Sequence, residues 1–380
     1  MKICIITLPV HTNYGGILQA YALQLTLKRL GHEPTTLRLR RSVVKLPKWK
    51  VIPVYIKRIY KKFILNDATQ ILFFEKKINN EYSIINKHTE IFIKKNISIK
   101  EIDSYAEMRE SDFDCYIVGS DQVWRPQYFR NDISNAYLAF TNNWKVKRLS
   151  YAPSFGTDSW EYSDSETKLC TSLINKFDAV SVREISGIRL CSEYLKHDSA
   201  MHVLDPTLLL SVNDYLKILT NFPDYQQKEE KVLLTYILDE NPEKKKIIRE
   251  ISKNEALTPL SVISKQEVLG APLEDRIALP VEEWLKGFKD AEVVFTDSFH
   301  ACVFSILFHK PFFVYGNKTR GLSRFSSLLS IFDLKDRFIQ SEQDYQLVKN
   351  NTIDWDKVDK KLNNYRNDSI NFLSQNLDND

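Results

Sequence analysis

The sequence predicts an α/β protein with two domains. Its 380 residues exceed the size of a usual single hydrophobic core. Apolar runs of strand length alternate with helix-like segments, which is the order that produces parallel sheets. Several of these runs end in polar, charged or glycine-bearing residues, as expected along the ligand-binding edge of a parallel sheet. The hydrophobic content of 43% and the charged content of 27% are ordinary for a globular chain.

The N-terminal segment predicts a βαβ unit. Its strand, helix and second strand are expected at Lys2–Leu8, Ile17–Leu30 and Thr35–Leu39, with Gly31 as the helix C-cap. The loop Pro9–Gly16 contains the motif Asn13-Tyr14-Gly15-Gly16. Paired glycines let the backbone approach a ligand closely, but a tight structural turn explains them equally well. The motif is neither a dinucleotide-binding fingerprint nor a P-loop, because it lacks G-x-G-x-x-G and a following Lys-Ser or Lys-Thr.

Further strands in the first half are expected to end along the same sheet edge. They are predicted, after a helical stretch near 66–86, at Phe113–Val118, Arg148–Ala152, Ala179–Val182 and Val203-Leu204. The residues that follow them are Gly119–Trp124, Pro153–Gly156, Arg183-Glu184 and Asp205-Pro206-Thr207. Ser186 is placed to cap the helix that follows the third of these strands. Trp124 fits a core position and a sugar-stacking position equally well.

The second half repeats the alternation of strands and helices. A polar segment at 221–230, which contains Pro223, is the predicted linker. Strands are predicted at Lys231–Leu238, Pro259–Ile263, Ala291–Phe295 and Pro311–Val314, and helices at Pro242–Lys253, Val281–Lys289, Ala301–Phe308 and Phe325–Ile331. We therefore expect one domain at 1–220 and a second at 221–350. The amphipathic helix Val358–Leu377, within 351–380, is placed to pack back on the first domain.

Positive charge is concentrated in one basic segment near 34–65. The chain has a formal net charge of +4, yet this segment contains no acidic residue. Its basic residues are Arg38, Arg40, Arg41, Lys45, Lys48, Lys50, Lys57, Arg58, Lys61 and Lys62. Aromatic residues such as Trp49 are interleaved with them. The segment fits a solvated helix-loop insertion or contact with anionic lipid headgroups. Nucleic acid is the weaker option, because no reading helix or RNA-binding signature accompanies it.

Other features of the sequence limit its class. The longest apolar run, Ala301–Phe308, is far shorter than the roughly 20 residues that span a bilayer. Met1-Lys2 leads directly into an apolar strand-like run without a small-residue cleavage site, so we expect no signal peptide. The five cysteines are widely spaced and lie mostly in apolar runs. This pattern predicts reduced, buried thiols rather than disulfides or a zinc site. We also expect no metal and no cofactor, because no ligand-like spacing is present.

The segment Thr296-Asp297-Ser298-Phe299-His300 is the most informative stretch of the chain. It lies at the carboxyl end of a predicted strand and at the amino end of a predicted helix. Free backbone N–H groups and the helix dipole favour anions at such a position. A histidine there can transfer a proton beside a bound phosphate or carboxylate. The alternative is that Ser298 only caps the helix and His300 only packs.

Six short motifs follow one another along the chain. They are Asn13-Tyr14-Gly15-Gly16, Gly119–Trp124, Ser150–Gly156, Ser181-Val182-Arg183-Glu184 with Ser186, Asp205-Pro206-Thr207 and Asp297-Ser298-Phe299-His300. In this order they make the chain, from Asn13 to about Leu334, resemble the polysaccharide pyruvyl transferase family. The resemblance implies two Rossmann-like domains facing a cleft, as in GT-B glycosyltransferases. It also implies transfer of pyruvate from phosphoenolpyruvate to a sugar as a ketal.

The resemblance places the family's essential histidine at His300. This residue is predicted to protonate the methylene carbon of phosphoenolpyruvate, with binding of the phosphate group as the alternative. The donor carries a phosphate and a carboxylate, so its site requires cations, and arginines bind both groups in a bidentate manner. The residues predicted to bind the donor are Arg183, Ser298, Lys318, Arg320 and Arg324.

Other residues of the motifs are candidates for the remaining roles. Asp121 and Glu184 are predicted to accept protons from sugar hydroxyls, or else to cap helices and pair with Arg183. The residues predicted to hold the sugar or its carrier, with a structural turn as the alternative, are Asn13, Tyr14, Gly15, Gly16 and Ser120. Asp205 precedes a proline at the end of the first domain, which favours a hinge or helix cap.

Three classes of function fit these observations. The first is a phosphoenolpyruvate-dependent ketal pyruvyltransferase that acts on a surface polysaccharide, such as capsule or exopolysaccharide, or on its lipid-linked precursor. The second is a GT-B glycosyltransferase that uses a nucleotide sugar, and the third is a sugar- or anion-binding module without catalysis. The expected partners are phosphoenolpyruvate and a sugar acceptor, without nucleic acid. We expect a bacterial cytoplasmic protein, with the inner face of the cell membrane as an additional contact through the basic segment.

Overall fold

A computed structural model describes residues 1–67, 69–129, 132–220, 222, 231–266, 268–316 and 321–378 of the chain. The strands are β1 (Lys2–Ile6), β2 (Glu33–Leu39), β3 (Ile99–Ile102), β4 (Cys115–Val118), β5 (Lys147–Ser150), β6 (Ala179–Val182), β7 (Met201–His202), β8 (Val232–Tyr236), β9 (Thr258–Ser261), β10 (Ala291–Thr296), β11 (Phe312–Tyr315) and β12 (Phe338–Ile339). The α-helices are α1 (Tyr14–Arg29), α2 (Lys48–Ile59), α3 (Phe74–Ile85), α4 (Lys87–Asn96), α5 (Asp164–Ile174), α6 (Ile185–Leu195), α7 (Val212–Leu219), α8 (Pro242–Asn254), α9 (Leu273–Arg276), α10 (Val281–Asp290), α11 (Phe299–Leu307), α12 (Ser323–Ile331), α13 (Glu342–Val348) and α14 (Trp355–Asp378).

The first sheet has the strand order β3-β2-β1-β4-β5-β6-β7, and its strand pairs are parallel. Its central strands β1 and β4 pair in register from Ile3 opposite Cys115 to Ile6 opposite Val118. Side chains on both faces of these two strands are buried, as in sheets covered by helices on both sides. Parallel pairing brings the carboxyl ends of all these strands to one edge, where the polar motifs begin.

The second sheet has the strand order β12-β11-β10-β8-β9 and is also parallel. Strand β10 lies between β8 and β11, so the motif that follows it emerges near the middle of the sheet. The predicted α/β class with two Rossmann-like sheets is confirmed. The predicted domain limits 1–220, 221–350 and 351–380 stay predictions, and most of the predicted linker lies outside the described residues.

Several predicted boundaries shift for local reasons. Helix α1 begins at Tyr14 rather than Ile17, because the Asn13 side chain accepts a hydrogen bond from the Gly16 N–H and caps the helix earlier. Glu184, not Ser186, is the N-cap residue of α6. The last strand of the first sheet is β7 rather than Val203-Leu204, and the stretch predicted near 66–86 is helical only in α3. The sequence analysis missed the strands β3 and β12 and the helices α4, α5, α7, α9 and α13.

Helix α1 contributes to the hydrophobic cores of both sheets: Ile17 and Leu18 belong to the core of the second sheet, and Leu23 and Leu27 pack on the first. The Tyr14 ring stacks on Trp284 with 5.6 Å between centroids, and its hydroxyl donates to the Leu279 carbonyl at 3.0 Å. Helix α14 packs on the first sheet, where Ser369 Oγ accepts from the Leu204 N–H at 3.0 Å. In the part of the chain that the structure describes, no helix is long and apolar enough to cross a membrane. The five cysteines are free and buried.

Candidate active site

The amino ends of α1 and α11 meet at His300. Gly15, in the first turn of α1, lies close to the His300 side chain. A Cβ atom at Gly15 would be less than 3.0 Å from three atoms of that side chain, Nδ1, Cγ and Cβ. A Cβ at the neighbouring Gly16 would have its nearest atom 3.6 Å away, in Asn13. The glycine at position 15 is therefore required by a close approach between the two domains.

A buried carboxylate joins His300 to an arginine of the first domain. The Oδ2 atom of Asp205 accepts a hydrogen bond from Arg183 Nη1 at 2.8 Å and lies 3.5 Å from His300 Nε2. Its Oδ1 atom accepts from the Thr207 N–H at 3.0 Å. Burial opposes ionisation of Asp205, but the charges of His300 and Arg183 and its hydrogen bonds outweigh burial and hold its pKa well below the usual range.

Arg183 is surrounded by three carboxylates. Besides Asp205, it contacts Glu184 Oε1 through Nε at 3.3 Å and Asp121 Oδ1 through Nη2 at 3.5 Å. All four side chains are almost completely buried. Burial raises the pKa of Glu184 even though Arg183 opposes this shift. The carboxyl edge of the first sheet therefore carries a dense cluster of charges that face the second domain.

The Phe299 ring contacts two buried arginines. The Arg183 guanidinium carbon is 4.5 Å from the centroid of the Phe299 ring, and that of Arg324, in α12, is 5.6 Å away. A ring face attracts such cations by its quadrupole. Burial and the like charge of Arg183 lower the pKa of Arg324 to about 10. The charges of Glu184 and Asp121 offset part of this decrease, and an anion beside Arg324 would offset more of it.

Asp297 fixes the segment that precedes His300. Its carboxylate accepts hydrogen bonds from the backbone N–H groups of Leu238 at 2.7 Å and Asp239 at 3.1 Å. It also accepts from the buried Lys244 Nζ at 2.7 Å. Strand β10 is thereby attached to the loop after β8 and to the first turn of α8. The entry to α11, and with it the position of His300, is held by three hydrogen bonds.

A family model for polysaccharide pyruvyl transferase matches residues 13–319. The chain belongs to this family. The match spans the six motifs from Asn13 to His300, so the recognition made from the sequence is confirmed. The protein is a transferase of a family that transfers pyruvyl groups to polysaccharides. A search of curated proteins finds no match.

Solved structures with a similar fold include two epimerases. The UDP-GlcNAc 2-epimerase from Neisseria meningitidis bound to UDP-GlcNAc has 12% identity and a TM-score of 0.50, and the match covers 99% of each chain. A putative UDP-N-acetylglucosamine 2-epimerase from Listeria monocytogenes has 13% identity and a TM-score of 0.49, with 98% of this chain and 90% of that chain covered. At such identities the likeness shows the fold alone. The architecture of this pyruvyl transferase family member is GT-B-like.

The structure brings some predicted site residues of this family member together and places others elsewhere. His300, Arg183, Asp121, Glu184, Arg324 and Gly15 form one cluster. Ser298 is the N-cap residue of α11, although its side chain makes no capping hydrogen bond. Lys318 and Arg320 lie outside the described residues. These assignments stay predictions of function.

Five other candidates have mainly structural contacts. Tyr14 packs in the core between the domains. The Asn13 side-chain oxygen accepts a hydrogen bond from the Gly16 backbone N–H and so caps α1. Ser120 is fully buried, and its Oγ donates to the Ala152 carbonyl at 3.0 Å. Trp124, which also fitted a sugar-stacking position, is a core residue stacked on Tyr137.

Sequence reasoning missed three contributors to the site: Phe299, Lys244 and the contact of Asp205 with His300. Phe299 stood inside a recognised motif, and its position beside a histidine was the available signal. Lys244 is one of three consecutive lysines in α8 and gave no signal. Among the described residues, no group of three or more His, Cys, Asp or Glu side chains is arranged to hold a metal ion. The expectation of no metal and no cofactor stays a prediction.

Replacing Phe299 with leucine should weaken anion binding more than it weakens the fold. The loss of ring contacts with two buried arginines should lower the free energy of unfolding by about 1–2 kcal/mol. It should also raise the concentration of inorganic phosphate needed to stabilise the protein in thermal unfolding. Phe308→Leu, beyond the opposite end of α11, is the matched control. Equal phosphate dependence in both variants would show that the Phe299 ring has no part in anion binding.

Proposed function

We propose that the protein transfers pyruvate from phosphoenolpyruvate to two hydroxyls of a sugar and forms a pyruvate ketal. The observation that carries this proposal is the position of His300. It lies where the amino ends of two helices meet, beside Asp205, and next to the Phe299 ring that contacts Arg183 and Arg324. A proton donor, buried cations and helix amino ends are the features that a phosphorylated enol acid requires.

Binding of the donor depends on its negative charges. Arg324 has a lowered pKa because it is buried near Arg183, and a phosphate or carboxylate beside it would offset both effects. The first turns of α1 and α11 add backbone N–H groups and positive dipole ends. We assign phosphate and carboxylate binding to these groups, together with Lys318, Arg320 and Ser298.

The reaction starts with proton transfer from His300 to the methylene carbon of the donor. The double bond supplies the electron pair for the new C–H bond, and the positive charge develops at C2. One sugar hydroxyl attacks C2, the C2–O bond to phosphate breaks, and a second hydroxyl attacks C2. Of the two hydroxyl protons released, one restores His300 and the other leaves with phosphate. The products are a pyruvate ketal and inorganic phosphate.

Two carboxylates are candidates for the groups that first accept the hydroxyl protons and then pass them to His300 and phosphate. Glu184 is favoured because burial raises its pKa, which makes a neutral form accessible. Asp121 contacts the same arginine from another loop. Both also neutralise Arg183, so each combines a structural role with the proposed chemistry.

The proposed acceptor is a sugar of a surface polysaccharide or of its lipid-linked precursor. Membership of the family indicates a polysaccharide acceptor, and the lipid-linked form of the acceptor is our proposal. The reaction as written needs phosphoenolpyruvate as a substrate and no further cofactor. A lipid-linked acceptor would place the protein, at least transiently, at the inner face of the cell membrane.

The proposal predicts that His300→Gln abolishes acceptor-dependent phosphate release. Removing a general acid lowers a rate by about 100-fold or more. The measurement is phosphate release from phosphoenolpyruvate, with mass spectrometry of the acceptor, over a panel of lipid-linked saccharides. His309→Gln is the matched control, because His309 lies just beyond the other end of α11, where its ring contacts Asp359 at 2.8 Å and stacks on Trp355, away from the site cluster. This control should release phosphate at the wild-type rate.

Two results would contradict the proposal. If His300→Gln released phosphate as fast as the wild type, the proton donor would be another group. If no acceptor supported phosphate release while a nucleotide sugar was consumed, the protein would be a glycosyltransferase of the same architecture. Binding of phosphoenolpyruvate without turnover on any acceptor would instead favour a binding module.

A further inference from the structure

The basic segment contains a helix that lies on the outside of the protein. Helix α2 and the π-helical turn Tyr60–Ile64 that continues it have no buried residue. The segment is attached through Arg58, which pairs with Glu75 at 2.7 Å and donates to the Leu72 carbonyl at 3.0 Å. These contacts define the face of α2 that is turned toward the protein.

The opposite face of α2 is apolar and exposed. Trp49, Ile52 and Ile56 follow one another at helical spacing, and their relative exposures are 75%, 71% and 62%. Trp49 and Arg58 are nine residues apart, or two and a half helical turns, so they lie on opposite sides of α2. Further exposed apolar side chains follow at Ile59, Tyr60, Phe63, Ile64 and Leu65. Such a continuous stripe on a surface helix is unusual and indicates a binding surface.

Lysines border this stripe. Lys48, Lys50 and Lys57 are exposed in α2, and the Lys50 ammonium lies 4.6 Å from the centroid of the Trp49 ring. Among the described residues, none of the ion pairs involves a lysine between positions 45 and 62, whereas Arg38, Arg40 and Arg58 are each paired with carboxylates. The arginines therefore fix the segment to the protein, and the lysines keep their charge available to a partner.

We propose that α2 and its continuation to Leu65, hereafter the docking helix, bind the surface of an anionic phospholipid bilayer. An exposed apolar stripe with lysines at its borders fits the interface of such a bilayer, where side chains enter the acyl boundary and ammonium groups meet phosphates. The docking helix would lie in the plane of the membrane without crossing it.

Two other occupants fit the observations less well. A second copy of this chain would bring the lysines of one docking helix against those of the other, and no acidic side chain between 34 and 65 would compensate. A nucleic acid would use the lysines but would leave Ile52 and Ile56 against phosphates or water. The bilayer is the partner that uses both the charge and the apolar stripe.

The position of the docking helix matches the proposed acceptor. The segment leaves the first sheet at the carboxyl end of β2, at Leu39, and the same edge carries Asp121 and Arg183. Docking would therefore bring the site edge toward the membrane, where a lipid-linked sugar is presented. Only this last step rests on the proposed function; binding to the bilayer does not.

The test uses the full chain and vesicles of two compositions, phosphatidylcholine alone and phosphatidylcholine with phosphatidylglycerol. Trp49 is exposed, whereas the other five tryptophans are buried or half-buried, so the emission of Trp49 should shift to shorter wavelength on the anionic vesicles and not on the neutral ones. The shift should be absent in Trp49→Phe. Sedimentation with anionic vesicles should fall about 100-fold in Lys48→Gln/Lys50→Gln/Lys57→Gln and also in Ile52→Ser/Ile56→Ser. The matched controls are Lys94→Gln/Lys95→Gln and Leu347→Ser, which change exposed lysines and an exposed leucine elsewhere.

The outcomes separate the proposal from its alternatives. Loss of binding in both docking-helix variants, with normal binding in both controls, supports it. Wild-type binding in either docking-helix variant, or no binding of the wild type to anionic vesicles, overturns it. Two further results would overturn it. One is a dimer, detected by sedimentation velocity, in which iodide no longer quenches the fluorescence of Trp49. The other is binding of nucleic acid that added anionic vesicles do not displace. Phosphate release with a soluble acceptor, measured in parallel, reports on the proposed chemistry alone.

Discussion

Gly15→Ala should reduce acceptor-dependent phosphate release by about 100-fold. The added methyl group would lie less than 3.0 Å from three atoms of the His300 side chain, so the imidazole or the amino end of α1 must move. A displacement of about 1 Å at a catalytic group is enough for a loss of this size. Overpacking of this buried contact should also lower the free energy of unfolding by about 1–3 kcal/mol. Both quantities are measured on purified protein, by the phosphate assay and by urea unfolding.

Gly16→Ala is the matched control for this clash. Its methyl group would have 3.6 Å to the nearest atom, and alanine is a better helix residue than glycine by up to about 1 kcal/mol. The control should therefore be at least as stable as the wild type. Gly15→Ala should lower the free energy of unfolding less in the His300→Ala background than in the wild type, because Nδ1 and Cγ of His300 are then absent and only the Cβ atom remains close to the added methyl group. If Gly15→Ala lowered the free energy of unfolding equally in the wild type and in His300→Ala, this would contradict a direct contact between position 15 and the His300 side chain.

The alternation of strands and helices was readable from the sequence because the central strands are buried on both faces. Strand β6 has the predicted limits, and β10 differs by one residue at its end. Edge strands were harder to see. Strand β3 has only one buried residue in the sequence Ile-Lys-Glu-Ile, so it lacks the continuous apolar run that marked the others.

The site was readable in its parts but not in its assembly. Arg183 and His300 each stood at the end of a predicted strand, which made them candidates. Their connection through Asp205 depends on how the two domains pack, and no local pattern encodes it. For Asp205 the sequence favoured a hinge or cap, and the structure shows the cap at Oδ1 while Oδ2 faces Arg183 and His300. Likewise, Gly15 looked like a turn residue, although it lies in a helix against a residue of the other domain.

Asp205→Asn should both destabilise the protein and inactivate it. The amide keeps an oxygen that can accept from the Thr207 N–H, but it removes the negative charge between Arg183 and His300. Breaking a buried ion pair by removing one partner costs about 3–5 kcal/mol, and the Glu184 and Asp121 carboxylates that stay beside Arg183 place this variant at the lower end of that range. We expect a decrease of this size in the free energy of unfolding at pH 7, together with loss of acceptor-dependent phosphate release.

The pH dependence of stability gives a second, independent test of the contribution that the Asp205 charge makes to the folded protein. Its pKa is lowered in the folded protein relative to the ordinary value of 3.8, so its charge contributes stability that is fully present above about pH 4. This contribution is lost as the pH falls toward the lowered value. The difference in free energy of unfolding between the wild type and Asp205→Asn should therefore narrow as the pH falls below about 4.

Asp214→Asn provides the matched control for this prediction. Asp214 is also a mostly buried carboxylate with a lowered pKa, but its partners are Arg29 and the first turn of α7, outside the site cluster. The difference in free energy of unfolding between the wild type and Asp214→Asn should narrow over the same acidic pH range. This variant should also release phosphate normally per folded molecule, because His300 and Arg183 keep their partner. If both variants lost activity equally, the effect of Asp205 would be one of general stability, whereas a loss confined to Asp205→Asn identifies it as the residue that positions His300.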